Sequence, residues 1–219
     1  MEDNYVTLAG NGFSSYEDRK SRFLGYAAHV VTEREAIDFV SSIRKKHADA
    51  RHNVYAYVIK NGNYMRYSDD GEPQGTAGMP VLDVIKKTGF TDAVIVVTRY
   101  FGGILLGTGG LVRAYTEAAS LAARDAGIVT LEPFAEILLT TSYSLWQKIS
   151  YAFRSMPVIT DSVTYGADIE VNIAVPSEDA EKVLKLVTEL SSGRDCGIVT
   201  GTRYDRRPAC FPENPEKDK

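Results

Sequence analysis

Two glycine-rich segments constrain this chain more than any other feature: Ser68-Asp69-Asp70-Gly71-Glu72-Pro73-Gln74-Gly75-Thr76-Ala77-Gly78-Met79-Pro80, and the run VVTRYFGGILLGTGGLVRAY from Val96 to Tyr115. Glycine loses the most conformational freedom on folding, so it is worth having where φ must be positive or where something approaches the backbone closely. Glycines, acids and two arginines around short apolar runs therefore predict two shaped loops. Function is to be sought on the surface they form.

The elements around these loops follow from periodicity and caps. Tyr5 to Val31 alternates in part and predicts two strands separated by the polar stretch Tyr16-Glu17-Asp18-Arg19. Thr32 and Glu35 form a capping box for a helix ending near Lys46-His47, with Ala36, Ile37, Phe39, Val40 and Ile43 on its apolar face. Asn61-Gly62 joins Asn53–Ile59 and Tyr64–Tyr67 as a hairpin. Pro80 suits the first position of a helix stopped by Gly89, and Ala93 to Val97 is a β-branched run that reads as a strand covered on both faces. A helix follows from about Gly109 to Ala126 and Gly127 ends it. Beyond a boundary at Glu132-Pro133, the order is strand 135–141, helix 144–154, strands 158–165 and 168–175, helix 178–190 capped by Ser177, and strand 196–204. That β-α-β-β-α-β order is ferredoxin-like. The domains expected are thus 1–132 and 133–207, with a proline- and charge-rich tail, 208–219, expected to be disordered.

Bulk properties limit the function classes. With 219 residues, 44% of them hydrophobic, the chain can bury a core in each of two small domains. The formal net charge is -4, and neither half is basic: 15 Lys and Arg face 16 Asp and Glu up to Glu132, and 10 face 13 after it. A protein that coats nucleic acid by general attraction is disfavoured, so any polyanion site must be local. Cys196 and Cys210 are too few for a disulfide framework and lack the spacing of a zinc or redox motif. An acidic start without a signal peptide, and no apolar run near the roughly 20 residues that span a bilayer, point to a cytoplasmic protein with no membrane partner.

Several residues carry candidate chemistry. A helix beginning near Gly107-Thr108-Gly109-Gly110 offers unpaired N–H groups and the positive end of its dipole to an anion such as phosphate, although the segment is neither a Walker A loop nor a dinucleotide fingerprint. Arg99, at the end of the buried strand, and Arg113, one turn into that helix, either converge on one mouth with Gly102 and Gly103 or neutralise Asp69, Asp70 and Glu72. Asp69-Asp70-Gly71-Glu72 lacks the ligand series of a calcium loop, and a turn in which the aspartates accept local N–H groups, with Pro73 and Thr76 at its exit, explains the same residues without a metal. His52 is a candidate base or phosphate donor, or a hydrogen-bonded structural histidine. Arg44-Lys45-Lys46-His47, with Arg51, His52 and tyrosines 55, 57, 64 and 67, suits RNA, or else is a solvated helix end beside packed strand tyrosines. No serine or cysteine near His52 completes a nucleophilic set, no cofactor is implied, and the incomplete catalytic set leans away from an enzyme.

The runs SDDGEPQGTAG and TRYFGGILLGTGGLVRAY, with Ala50-Arg51-His52-Asn53-Val54-Tyr55-Ala56-Tyr57, closely resemble the signature of the IMPACT/YigZ family, in which an Impact-type domain precedes a small C-terminal domain. The resemblance implies an α+β chain: a first domain like domain 2 of ribosomal protein S5, and a ferredoxin-like second domain like the last domain of elongation factor G. It also implies a translation-linked role, since eukaryotic relatives act through the machinery that activates a stress-responsive kinase and bacterial relatives are suspected of binding nucleic acid. The resulting expectation is a non-enzymatic regulator that meets RNA or a ribosome-associated protein through His52, Arg99, Arg113 and the glycine loops. An enzyme acting on a phosphorylated small molecule, with His52 or Asp70 moving protons, and a pure protein-interaction module are the alternatives.

Overall fold

The computed structural model describes residues 4–194 and 197–208, so Cys196, Cys210 and the tail from residue 209 lie outside the described residues. Among those described, the chain is α+β, with two antiparallel sheets and five α-helices, and it divides into one unit of residues 5–130 and a second that begins at Leu131.

The first unit runs β1 (Tyr5–Leu8), β2 (Gly12–Asp18), β3 (Ser21–His29), α1 (Glu33–Lys46), β4 (His52–Ile59), β5 (Tyr64–Ser68), α2 (Gly78–Thr88), β6 (Ala93–Tyr100) and α3 (Gly107–Ala126). Its sheet has the order β2-β3-β6-β4-β5, each neighbour antiparallel. The β-branched run places β6 at the centre, where every residue but Tyr100 is buried. On one face α1 presses Ala36, Val40 and Ile43 against Tyr26, Tyr57, Val94 and Val96; on the other, α2 and α3 cover Phe23, Val54, Ile95 and Val97. Each such apolar side chain contributes about 1.5–3 kcal/mol when fully buried. The alanine face of α3 lies very close to the sheet. A Cβ on Gly25 would stand 2.6 Å from the Ala118 carbonyl oxygen and 2.4 Å from Ser14 Oγ, which donates to that carbonyl.

The structure corrects the expected elements at several points. The first segment holds three strands, not two, because the polar stretch Tyr16–Asp18 is the end of edge strand β2. The turn comes after it, with Arg19 and Lys20 at φ 45° and 65°. In the β4–β5 turn the left-handed residues are Gly62 and Asn63 rather than Asn61 and Gly62. Pro80 is the third residue of α2, still within the first turn where its missing N–H is harmless, and α3 begins at Gly107, one half-turn early. Thr32 caps α1 as expected, accepting the Glu35 N–H at 3.2 Å.

The second unit takes β7 (Ile128–Thr141) from Leu131 onward, then α4 (Tyr143–Phe153), β8 (Ile159–Tyr165), β9 (Ile169–Pro176), α5 (Ala180–Leu190) and β10 (Gly197–Asp205). Strand order β10-β7-β9-β8 is consistent with the ferredoxin-like expectation, and the core joins Ile137, Leu139, Val171 and Ile173 to Ile149, Phe153, Val183 and Val187. Ser177 does not cap α5: it opens a short 3-10 turn, and Asp179 holds the cap position.

Candidate functional site

The first glycine-rich loop is closed upon itself. Asp69 Oδ1 accepts the N–H groups of Ala77 and Gly78 at 3.1 and 2.8 Å, and its Oδ2 accepts Gly75 N–H at 2.9 Å. One carboxylate therefore seals the start of α2, a position where negative charge is favoured. Asp70 accepts the Asn53 N–H at 2.6 Å and the Arg44 guanidinium at 2.7 Å, while Thr76 Oγ1 donates to the Pro73 carbonyl at 2.7 Å. The turn reading of these acids matches the geometry. Among the described residues, no group of three His, Cys, Asp or Glu side chains is placed to hold a metal ion.

Glu72 carries the same logic into the interior. Its Oε1 accepts from Arg99 Nη1 at 2.6 Å and from the Tyr115 hydroxyl at 2.8 Å. Burial, followed by the adjacent Glu72 charge, pushes the Tyr115 phenol well above its ordinary value. Arg99 is only 6% exposed and its Nε has no hydrogen-bond partner. Of the two readings weighed for Arg99, the neutralising one is realised. Arg99 belongs to the loop network rather than to an open mouth shared with Arg113. His52 is likewise engaged: the Asp70 carbonyl oxygen accepts from Nδ1 at 2.9 Å, which leaves Nε2 facing Glu72 at 4.0 Å.

The second loop divides. Gly102 serves packing, since a Cβ there would lie 2.1 Å from the Lys20 carbonyl oxygen, and its N–H donates to Ser21 Oγ. Gly110 is buried, whereas Gly103, Gly107, Thr108 and Gly109 are exposed. The start of α3 has no side-chain cap and no acid in its first turn, and the N–H groups of Thr108 and Gly109 find no hydrogen-bond partner among the described residues. Exposed Arg113 curls back toward it, its Nη1 3.8 Å from where a Gly109 Cβ would stand.

Sequence reasoning missed the cations that topology adds. The β2–β3 turn packs on Gly102, and Arg19 Nη1 donates to the Leu105 carbonyl at 3.3 Å. Arg22 lies opposite Tyr100 in the β3–β6 register, with its guanidinium 5.0 Å from the ring centre. Arg19, Lys20, Arg22 and Arg113 are exposed and close no ion pair among the described residues; Glu17 stands opposite Arg22 in the β2–β3 register without pairing to it. The only sequence signal was the strand alignment itself, which brings residues about eighty positions apart to one corner.

The basic run that ends α1 is more occupied. Arg44 is paired with Asp70 and lies over Tyr55, and Lys46 lies over Tyr26. His47 is buried: Nε2 meets the Tyr26 hydroxyl at 2.7 Å, and Nδ1 meets at 3.0 Å the Tyr100 hydroxyl, which itself donates to Asp49. Burial, then the Lys46 charge, lowers its pKa below the usual histidine value.

Comparison with known proteins matches residues 19–123 to the Impact N-terminal domain and residues 139–194 to a domain of unknown function (DUF1949). The chain is 36% identical over 195 residues to the IMPACT family member YvyE of Bacillus subtilis, covering 89% of this chain and 90% of that one. It is 34% identical over 180 residues to the IMPACT family member YigZ of Escherichia coli, covering 81% and 88%. A solved structure described as a crystal structure of an hypothetical protein superposes with a TM-score of 0.60 at 31% identity, over 92% of this chain and 99% of that one.

Proposed function

This chain belongs to the IMPACT family, and from that premise we propose that it is a non-catalytic regulator linked to translation, acting in the cytoplasm, whose unit of residues 5–130 binds RNA at one corner of its sheet. The observation that carries the reading is that Arg19 and Lys20 lie against the loop between β6 and α3, that Arg113 curls back over the start of α3, and that none of the three closes an ion pair among the described residues. Elsewhere in this unit Arg34, Arg44, Arg66 and Arg99 are paired with carboxylates, while Arg51 and Arg124 close no ion pair among the described residues, and no hydrogen bond or ring contact among them ties either to this loop. Unpaired cations on an otherwise acidic chain supply the local positive field that phosphates require. The carboxylate of Asp70 is already engaged by the Asn53 N–H and the Arg44 guanidinium, which disfavours it as the proton-handling group of a phosphometabolite enzyme.

The test is co-sedimentation of the chain with ribosomes and with total RNA at rising salt. Replacing Arg19, Lys20 and Arg113 by alanine is expected to abolish co-sedimentation, and each single replacement is expected to lower the salt slope by about 0.7–0.9 for the phosphate that its cation neutralises. Retained sedimentation by the triple variant, with its melting temperature unchanged, removes this corner from consideration.

A further inference from the structure

The loop between β6 and α3 exposes more than charge. Phe101, Ile104 and Leu105 are 51%, 44% and 80% exposed, and no other large apolar side chain among the described residues is as open as Leu105. A cluster of apolar side chains held out into water marks a contact surface. It stands within the unpaired cations already described: Arg19 donates to the carbonyl of Leu105 itself, and Lys20 packs against Gly102. The Phe101 ring is also braced from below, because the Arg99 guanidinium, fixed by Glu72, lies 5.6 Å from its centre. One side of the ring rests on a buried cation while half of the residue remains open to solvent.

Resting on the RNA reading above, we propose that this loop recognises unpaired nucleotides, so that the corner binds single-stranded RNA in preference to duplex. Two observations distinguish the partners. A duplex presents phosphates and ribose on its outside and keeps its base faces stacked, so it offers nothing for Phe101, Ile104 and Leu105 to cover. A single strand offers both phosphates for Arg19 and Lys20 and an open base face for Phe101, the pairing of a cationic groove with an aromatic platform that single-strand binders use. The Glu72–Arg99 pair then has a role in binding, as the support that sets the plane of the platform.

The experiment measures fluorescence anisotropy of the whole chain with a short unstructured oligoribonucleotide, and with the same strand annealed to its complement, at two salt concentrations. The single strand is expected to bind about tenfold more tightly. Phe101→Ala is expected to remove that preference while leaving duplex affinity unchanged, and Phe101→Tyr to keep it, in line with the roughly 1–3 kcal/mol that stacking one base contributes. Phe101 is exposed, so an unchanged melting temperature establishes that the variants fold. Equal or tighter duplex binding, or equal losses on both by Phe101→Ala, overturns this inference and leaves the RNA reading standing. Absence of binding to either RNA overturns both. In a parallel arm with phosphatidylglycerol vesicles, co-flotation that Leu105→Asp abolishes, without RNA affinity, reassigns the loop to an anionic lipid surface and also overturns the proposal.

Discussion

Glu72 and Arg99, 27 residues apart in the chain, meet at 2.6 Å with both side chains almost wholly buried. The pair fastens the first glycine-rich loop to the last turn of the central strand. Removing one partner of such a pair leaves an uncompensated charge in the interior, which typically destabilises by about 3–5 kcal/mol. Glu72→Ala is therefore expected to lower the urea midpoint strongly, and the double variant Glu72→Leu with Arg99→Met to recover much of the loss. A single-variant effect below about 0.5 kcal/mol contradicts the pairing.

Asp69→Ala opens the start of α2 by withdrawing the acceptor of three backbone N–H groups. Loss of a cap costs about 0.5–2 kcal/mol, and the upper part of that range is expected here. Hydrogen exchange should accelerate at Ala77 and Gly78 first. Protection unchanged at those two amides means that the carboxylate does not hold them.

His47 gives the fold a pH dependence of definite sign. Its pKa is lowered in the folded chain, chiefly by burial and then by Lys46, so the folded state binds fewer protons than the unfolded one near the ordinary histidine pKa of about 6.5. The associated stability is fully present above that pH and is lost as pH falls toward the folded pKa. His47→Gln is expected to flatten the fall in melting temperature between about pH 7 and pH 5. Parallel curves for the two proteins refute the assignment.

Gly25→Ala forces a methyl group against the Ala118 carbonyl and Ser14 Oγ. Overpacking of this kind typically costs about 1–3 kcal/mol, and backbone contact puts it at the high end. Gly10→Ala, where nothing lies within 4 Å, is the control and should change the denaturation midpoint little.

Local chemistry was legible and long-range placement was not. Thr32 with Glu35, Gly89 at φ 72° and the β-branched run of β6 act through neighbours in the chain, and each was readable there. The turn at Arg19-Lys20 was hidden because it lacks the glycine or asparagine that marks such turns. The choice between a ligand-facing and an ion-paired Arg99 depended on where Glu72 came to lie, and local patterning is silent on that. The same holds for Arg22, whose place beside Tyr100 is set by strand order alone.

That turn has a further consequence. Arg19 and Lys20 both occupy left-handed backbone, which is disfavoured by roughly 1 kcal/mol or more per side-chain-bearing residue and comes freely to Asn-Gly. An Asn-Gly replacement should make a sturdier hairpin and a chain with fewer positive charges at this corner. Under the proposed RNA reading, stability and recognition pull in opposite directions on the same two residues, and a lineage with no such partner is expected to drift toward the sturdier turn.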